Sequence, residues 1–464
     1  MQMVSQSPHV VEPGRSQLAA RFADETLRQE LVQRRLLGSA QMTPDEMQQA
    51  GLVGEVIEGF HSFWPLEDLS ACEDGPSAAL GVYSAAFKAT SSIDGQPYFL
   101  RRINGRQVVP SQEMTQVGQA VVERWLPLAR HPALCVPRYV CITSDMDSLP
   151  SLVFVHDLHA GAMTLEATHI QPVPDQRTGA LVRNQAAEPV LWSYLVQLAS
   201  ALHAAHNHGL AIRPASLDPS KVLVTVLGRV RVSSLGVVDV LRGEVPPPAP
   251  PQAEHMFAQD LQALGQLMLA LMCAGASPTP SVEIASRSYS PELCRVVSGL
   301  LDGPSGGGLG SADQLVAAIA GRMCIEMGSL GASLDRVTSD LERELENGRI
   351  ARLLIKLGMC AGRPLQDLGL RTEVGDRYLV GLLQEFLFAQ TNEAGTPMLD
   401  WGHVLEGLTK LDAGVPERVT MVGRDERSLV VASYAELRRA LESCYQGLVS
   451  VSLSGRMKDE ASFM

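Results

Sequence analysis

Apolar positions recur at two different intervals along the chain, and the changes between them mark out its segments. Within RFADETLRQELVQRRLL (21–37), Leu27, Leu31 and the pair Leu36-Leu37 repeat at helical spacing, which predicts a short amphipathic helix after a polar start. Thr43 precedes Pro44 with Glu46 three residues on, a helix-start signature. From about 80 to 155 the period shortens to β-type runs, GVYSAAFKA, QPYFLRRI and SLVFVHD. Asp94-Gly95 is a hairpin turn between the first two, and the helix-like EMTQVGQAVVERWLPLARH separates the second from the third. Leu191, Leu195, Leu198 and Leu202 then step by four, three and four, the core of a helical lobe. KVLVTV and RVRVSS around Gly228 predict a second hairpin. The Pro-rich run 244–252 is read as a loop that can carry no ladder, and helices resume at DLQALGQLMLALM.

DGPSGGGLGS (302–311) reads as a flexible break or surface loop. Beyond it Met323, Met327, Leu330, Leu334, Val337 and Leu341 alternate steps of four and three, a coiled-coil seam weakened by Gly328 and Gly331. The pattern alone leaves open whether that seam meets another chain or packs within its own fold. The last hundred residues read as a mainly helical unit: amphipathic helices over 376–390 and 400–411, a hairpin of RVTMV and SLVVAS around GRDER, and a capping box at Ser433 and Glu436. At Gly375 to Tyr378 the local reading is a helix start with Asp376 as its cap.

Composition narrows the function classes. The 464 residues suffice for two or three domains, and a net charge of -13 argues against an overall field that gathers nucleic acid or anionic lipid. Eight scattered Cys form no CxxC pair and no zinc spacing, so buried free thiols in a reducing compartment are expected. The N-terminus lacks the charged-then-apolar pattern of a signal, and no continuous apolar run approaches the ~18 residues of a membrane span, which points to the cytoplasm.

Two paired strands, a helix, more strand and then helices is the layout of a protein kinase. LVQLASALHAAHNHGLAIRPASLDPSKVLV resembles the kinase segment leading into the catalytic loop, and DLQALG resembles the kinase helix whose Asp, here Asp260, braces that loop. Phosphoryl transfer needs a glycine cover, a Lys on the third strand, a catalytic Asp, and Asn and Asp on magnesium. Here the glycine positions fall at Ala79, Gly81 and Ser84, and the Lys position at Arg101. His-Arg-Asp becomes Ile212-Arg213-Pro214, the Asn becomes Lys221, and Asp-Phe-Gly becomes Ser234-Leu235-Gly236. Each lost group costs roughly 10²- to 10³-fold in rate, so together they erase transfer. A Lys221 ammonium could neutralise phosphate where magnesium would have been. Taken singly, Ser234 to Gly236 could be a strand end with a Gly turn, Arg101-Arg102 a solvated strand edge, Lys221 a surface lysine and Asp260 a helix cap. The rival reading is an atypical active kinase with a displaced acid, Asp218 or Asp239.

The C-terminal third discriminates further. ENGRIARLLIKLG (346–358), GDRYLVGLLQEFLF and the stretch from LTKLDAG to RRALES, together with YFLRRI, LVFVHDLHAG and DPSKVLVT, resemble the regulatory subunit of the poly(A)-nuclease deadenylation complex over about 56–450. The resemblance implies an α+β fold: an N-terminal extension (1–55), a bilobal kinase-like pseudokinase domain (56–320), a coiled coil (321–359) and a mainly helical C-terminal knob domain (360–464). It implies a noncatalytic scaffold that homodimerises through the coiled coil and recruits the poly(A) exonuclease subunit for tail shortening in the cytoplasm and P-bodies. ATP is expected as a bound, unhydrolysed ligand with magnesium dispensable. The implied nucleotide positions are Arg101 or Arg102, the hinge residues Asp157, Leu158, His159, Ala160, Gly161, Ala162, Met163 and Thr164, and Ser220 with Lys221. Poly(A)-binding protein and poly(A) RNA are further candidate partners, although 1–55 shows neither the zinc finger nor the docking motif that members often carry.

Overall fold

The hairpin announced by Asp94-Gly95 is the centre of the N-terminal lobe. Strands β2 (Ser84–Ser91) and β3 (Pro97–Ile103) pair antiparallel from Ser84 opposite Ile103 to Thr90 opposite Pro97, and Gly95 at the turn has φ +69°. With β1 (Phe60–Pro65), β4 (Pro137–Thr143) and β5 (Ser151–Asp157) they form an antiparallel sheet in the order β1-β2-β3-β5-β4. Both strands that the sequence pattern does not announce are irregular. The register of β1 shifts between His61 and Trp64, with Ser62 at φ +53°, and that of β4 shifts between Pro137 and Tyr139, so neither alternates cleanly. This computed structural model describes residues 24–146, 149–174, 181–182, 185–225, 227–245, 250–274, 279–361, 375–392, 394–423 and 427–462.

Three helices precede or interrupt the strands: α1 (Glu25–Ser39), α2 (Pro44–Gln49) and α3 (Leu69–Asp74), the last lying in the β1–β2 connection. Thr43 and Glu46 close the expected capping box on α2. Helix α4 (Gln112–Trp125), capped by Ser111, buries Val121 and Trp125 under the sheet. The helical lobe is built on α5 (Glu188–Asn207), buried on nearly every side, with the hairpin Val222–Val224 and Val230–Val232, α6 (Val237–Arg242), α7 (Pro250–Cys273) and α8 (Pro291–Asp302) around it. The proline run therefore ends earlier than its composition suggests. Pro250 and Pro251 open α7, where a missing N–H costs nothing because first-turn N–H groups have no intrahelical partner. The glycine-rich stretch 302–311 is an ordered turn rather than a flexible break: Gly308 N donates to Gly303 O at 2.8 Å, and a Cβ on Gly308 would stand 2.2 Å from Gly299 O.

A single helix, α9 (Ala312–Ala361), carries the predicted seam through Gly328 and Gly331. Its first turns bury Leu315 and Ile319 in the helical lobe, Arg322 pairs with Glu292, and Ser193 Oγ donates to Glu326 Oε1 at 2.6 Å. Although the sequence holds no continuous apolar run, α9 averages a hydropathy of 1.4 over 18 residues, enough by length and composition to cross a bilayer. Its alanines, methionines, isoleucines and leucines raise that average, while Arg322, paired with Glu292, and Glu326, bonded by Ser193, tie its first part to the helical lobe. Much of the seam is uncovered: Met327, Leu334 and Leu341 are 71%, 67% and 58% exposed, while Met323, Leu330 and Val337 are half-buried.

Residues separate into two compact units at Gly331 and Ala332. In the second, Leu353, Leu357 and Cys360 at the end of α9 share a core with α10 (Asp376–Phe388), α11 (Trp401–Ala413), the predicted hairpin Arg418–Val422 with Leu429–Ser433, and α12 (Tyr434–Ser462). Ser433 and Glu436 form the capping box at its last helix. Asp376 does not cap α10; Gly375 holds the cap position without a side-chain bond, and Asp376 occupies the first turn, where its charge favours the helix dipole.

Candidate functional site

Neighbouring residues on a strand face opposite sides of a sheet, and this decides between the two arginines of β3. Arg101 faces the helical lobe. Arg102 faces away, donating to Met146 O and lying over the Phe87 ring at 5.4 Å, so as a nucleotide-binding candidate it is corrected to a structural role. Ala86 on β2 and Phe154 on β5 stand opposite Arg101, and His156 stands opposite Phe99, so these side chains share one face.

Between that face and the Ser220–Leu223 segment lies a cavity of about 270 Å³. Asp157, Leu158, His159, Ala162, Met163 and Thr164 line it, with Ser220 and Arg101. Ala160 and Gly161 do not; they form the turn closed by Ala162 N donating to His159 O at 3.1 Å, with Gly161 at φ +78°. The Asp157 carboxylate turns outward to a bidentate pair with Arg138, at 2.9 and 2.7 Å. Leu37 of α1 closes part of the cavity wall.

Two residues that sequence reasoning passed over dominate the site. Glu67, in the connection after β1, receives both bonds of Arg101 Nη1, at 2.8 and 2.9 Å, and its Oε1 lies 3.6 Å from Lys221 Nζ. Burial disfavours its charge, but the Arg101 guanidinium and the Lys221 ammonium outweigh that and hold the carboxyl below its usual range. Lys221 is pushed down by burial and by the Arg101 charge, with Glu67 opposing. His156, buried one residue before the expected hinge, has no hydrogen-bond partner for either ring nitrogen. Burial, then the Arg101 charge, push it down to about 3, so it is a neutral imidazole at pH 7. Strand alternation with Phe154 would have found His156. No local signal distinguishes Glu67, which sits in an irregular loop.

The catalytic-loop equivalent is held as the resemblance implies. Asp260, fully buried, accepts from Ile212 N at 2.7 Å and Arg213 N at 2.8 Å, and lies 3.1 Å from His206 Nε2. Pro214 starts a single 3-10 turn and offers no proton acceptor. Both displaced acids are already engaged: Asp218 Oδ1 accepts from Ser220 N at 2.9 Å and Ser220 Oγ at 2.6 Å, and Asp239 takes the Arg213 Nε bond at 2.7 Å. Ser234 is fully buried at φ +58° with its hydroxyl unpartnered. Gly236 has φ +76°, and a Cβ there would stand 2.6 Å from Val121 Cγ1, which ties the loop to α4. Gly81, also at positive φ, lies in open space, whereas Ser84 begins β2 with a buried, unpartnered hydroxyl. Among the described residues no group of three or more His, Cys, Asp or Glu could hold a metal ion. The arrangement can hold an apolar-faced ring and an anion, and it places no acid where a hydroxyl would be deprotonated.

Comparison with known proteins extends these observations. The Pan3 C-terminal knob domain family matches residues 312–448. A Dictyostelium discoideum protein described as PAN2-PAN3 deadenylation complex subunit pan3 is 33% identical over 453 residues, spanning 96% of this chain and 58% of its own length. The chain thus spans little more than half of the curated relatives it matches. The solved Drosophila melanogaster PAN3 pseudokinase superposes with a TM-score of 0.69 at 32% identity, covering 86% of this chain and all of that one. The structure of a complex of Neurospora crassa PAN2 with PAN3 gives 0.75 at 28% identity, covering 92% of this chain and 99% of the matched chain. The fold is that of the PAN3 pseudokinase followed by its C-terminal knob.

Proposed function

The chain belongs to the PAN3 family, and from that premise we propose that it is a noncatalytic scaffold subunit of a deadenylation complex. It brings a PAN2-type poly(A) exonuclease to its substrate, pairs with a second copy of itself, and holds ATP without transferring phosphate. The observation that carries this reading is the state of the cleft: Pro214 replaces the acid, Lys221 and Ser234 replace the metal ligands, and Asp218 and Asp239 are committed elsewhere. A site that cannot move a phosphoryl group leaves binding as the work of the chain.

Two exposed apolar surfaces support the scaffold role. The exposed part of the α9 seam suits a second copy, since a stripe of a and d positions is covered best by another of its kind. In the knob, Phe388, Met398, Leu399 and Trp401 are exposed around one turn, an aromatic-rich patch of the type that anchors interfaces. It is the surface we assign to the exonuclease, on its exposure and aromatic content; a Neurospora crassa PAN2 is solved in complex with the PAN3 that this chain resembles. Joining two such contacts in one subunit raises the effective concentration of the nuclease at a bound message.

Copurification with the exonuclease tests the assignment. Full-length chain should retain the enzyme, and a chain ending at Gly358 should lose it; retention by the truncated chain overturns the assignment. For the cleft, ATP should raise the melting temperature equally with and without magnesium. A strict metal requirement would contradict the role given to Lys221.

A further inference from the structure

The two ends of the cleft are in different states. At the base end, His156 is a buried neutral imidazole with both nitrogens unpartnered, and it lines the cavity. Buried polar atoms nearly always have partners, so an unpartnered imidazole on a cavity-lining residue marks a place for the hydrogen-bonding edge of a ligand. At the phosphate end both cations already face an anion, although Arg101 Nε has no partner. Arg101 and Lys221, the two cations that the nucleotide reading assigns to phosphate, share one carboxylate, and their side chains are only 3% and 6% exposed. The cavity that remains, about 270 Å³, is at the small end for a ligand site and suits a base with its sugar.

We propose that Glu67 determines which ligand the cleft accepts: its carboxylate sits in the seat of a phosphate, so a purine nucleoside enters freely and a nucleoside triphosphate enters only by displacing Glu67. This rests on the nucleotide reading above and deepens it. Glu67 can move without disturbing the sheet, because it lies in the β1–β2 connection directly before the short helix α3, whose cap is the neighbouring Asp68. A phosphate that replaces it brings more negative charge and more acceptor oxygens to the same two cations. Triphosphate binding is therefore an exchange of one anion for another, and it releases the Glu67 loop. Nucleoside binding leaves that loop in place.

Adenosine and ATP are titrated calorimetrically, without magnesium, into the full chain and into Glu67→Gln, which keeps an acceptor for Arg101 but removes the charge. Adenosine should bind both forms within about two-fold, and ATP should bind Glu67→Gln about ten-fold or more tightly than the parent, the scale expected for removing one competing charge from a shielded site. An unchanged ratio of ATP to adenosine affinity, with both ligands bound, overturns the role of Glu67. Absence of binding by either ligand to either form overturns the nucleotide reading itself. If the variant does not fold, hydrogen exchange on the parent chain decides: ATP, and not adenosine, should speed exchange over residues 66–74. Equal exchange with the two ligands overturns the proposal.

Discussion

Replacing Asp260 with alanine should loosen the catalytic-loop equivalent without touching the surfaces assigned to partners. The carboxylate accepts from the main-chain N–H groups of Ile212 and Arg213, both buried, and neighbours the buried side of His206. Deleting it orphans two buried donors, each costing about 1–3 kcal/mol, so the loss is about 2–6 kcal/mol. For a unit of this size each kcal/mol lowers the melting point by roughly 2–4 °C, which places the expected drop at about 4–24 °C. Asp260→Asn keeps one acceptor but turns its amide donors toward the other N–H, and should fall between alanine and the parent. Trp64, Trp125 and Trp192 all lie in this unit, so thermal unfolding followed by tryptophan fluorescence reports mainly on it. Capture of the exonuclease below the transition should be unchanged. A melting point within about 2 °C of the parent would refute the bracing argument, since Asp260 supplies the acceptor for both N–H groups.

Three further outcomes are expected. Leu334→Glu with Leu341→Glu should convert the proposed dimer to a monomer by sedimentation while moving the melting point of the isolated chain little, because the pairing would bury four leucines at about 1.5–3 kcal/mol each and the single fold buries neither position. Leu399→Asp with Trp401→Ala should weaken exonuclease capture about ten-fold or more in a pull-down titration, with near-native circular dichroism; undiminished capture would move the interface elsewhere. His156, held down to about 3 by burial and the Arg101 charge, resists protonation in the folded state while the unfolded chain takes up a proton near pH 6.5. Its contribution is thus complete above about pH 6.5 and is lost as pH falls toward 3, at about 1.4 kcal/mol per pH unit. Urea unfolding at pH 7, 6 and 5 should show His156→Met losing less stability on acidification than the parent.

Much of the fold can be read from the chain because local signals and tertiary structure agree. Asp94-Gly95 gives the β2–β3 hairpin, Thr43 and Ser433 give helix starts, and Asp260 braces the loop that its helix resembles. The readings that depart from the structure fail for identifiable reasons. A bulge at Ser62 breaks the alternation by which β1 would be recognised. Prolines that look like a loop tolerate the first turn of α7. In the site, the resemblance carries the positions around Arg101, Ser220 and Lys221, but it leaves two neighbouring arginines unresolved until strand pairing orients them. Glu67 lies 34 residues from Arg101, and a loop residue that far away becomes a partner only once the sheet and the β1–β2 connection are in place.

The uncovered leucines of α9 also set the conditions under which the molecule persists. A lone copy exposes an oily ridge to water; under the pairing proposed above, each encounter with another copy hides it, and abundance itself becomes a stabilising ligand. Dilution should shorten the lifetime of the folded chain, and cells that make too little of it should lose it faster than in proportion to its synthesis.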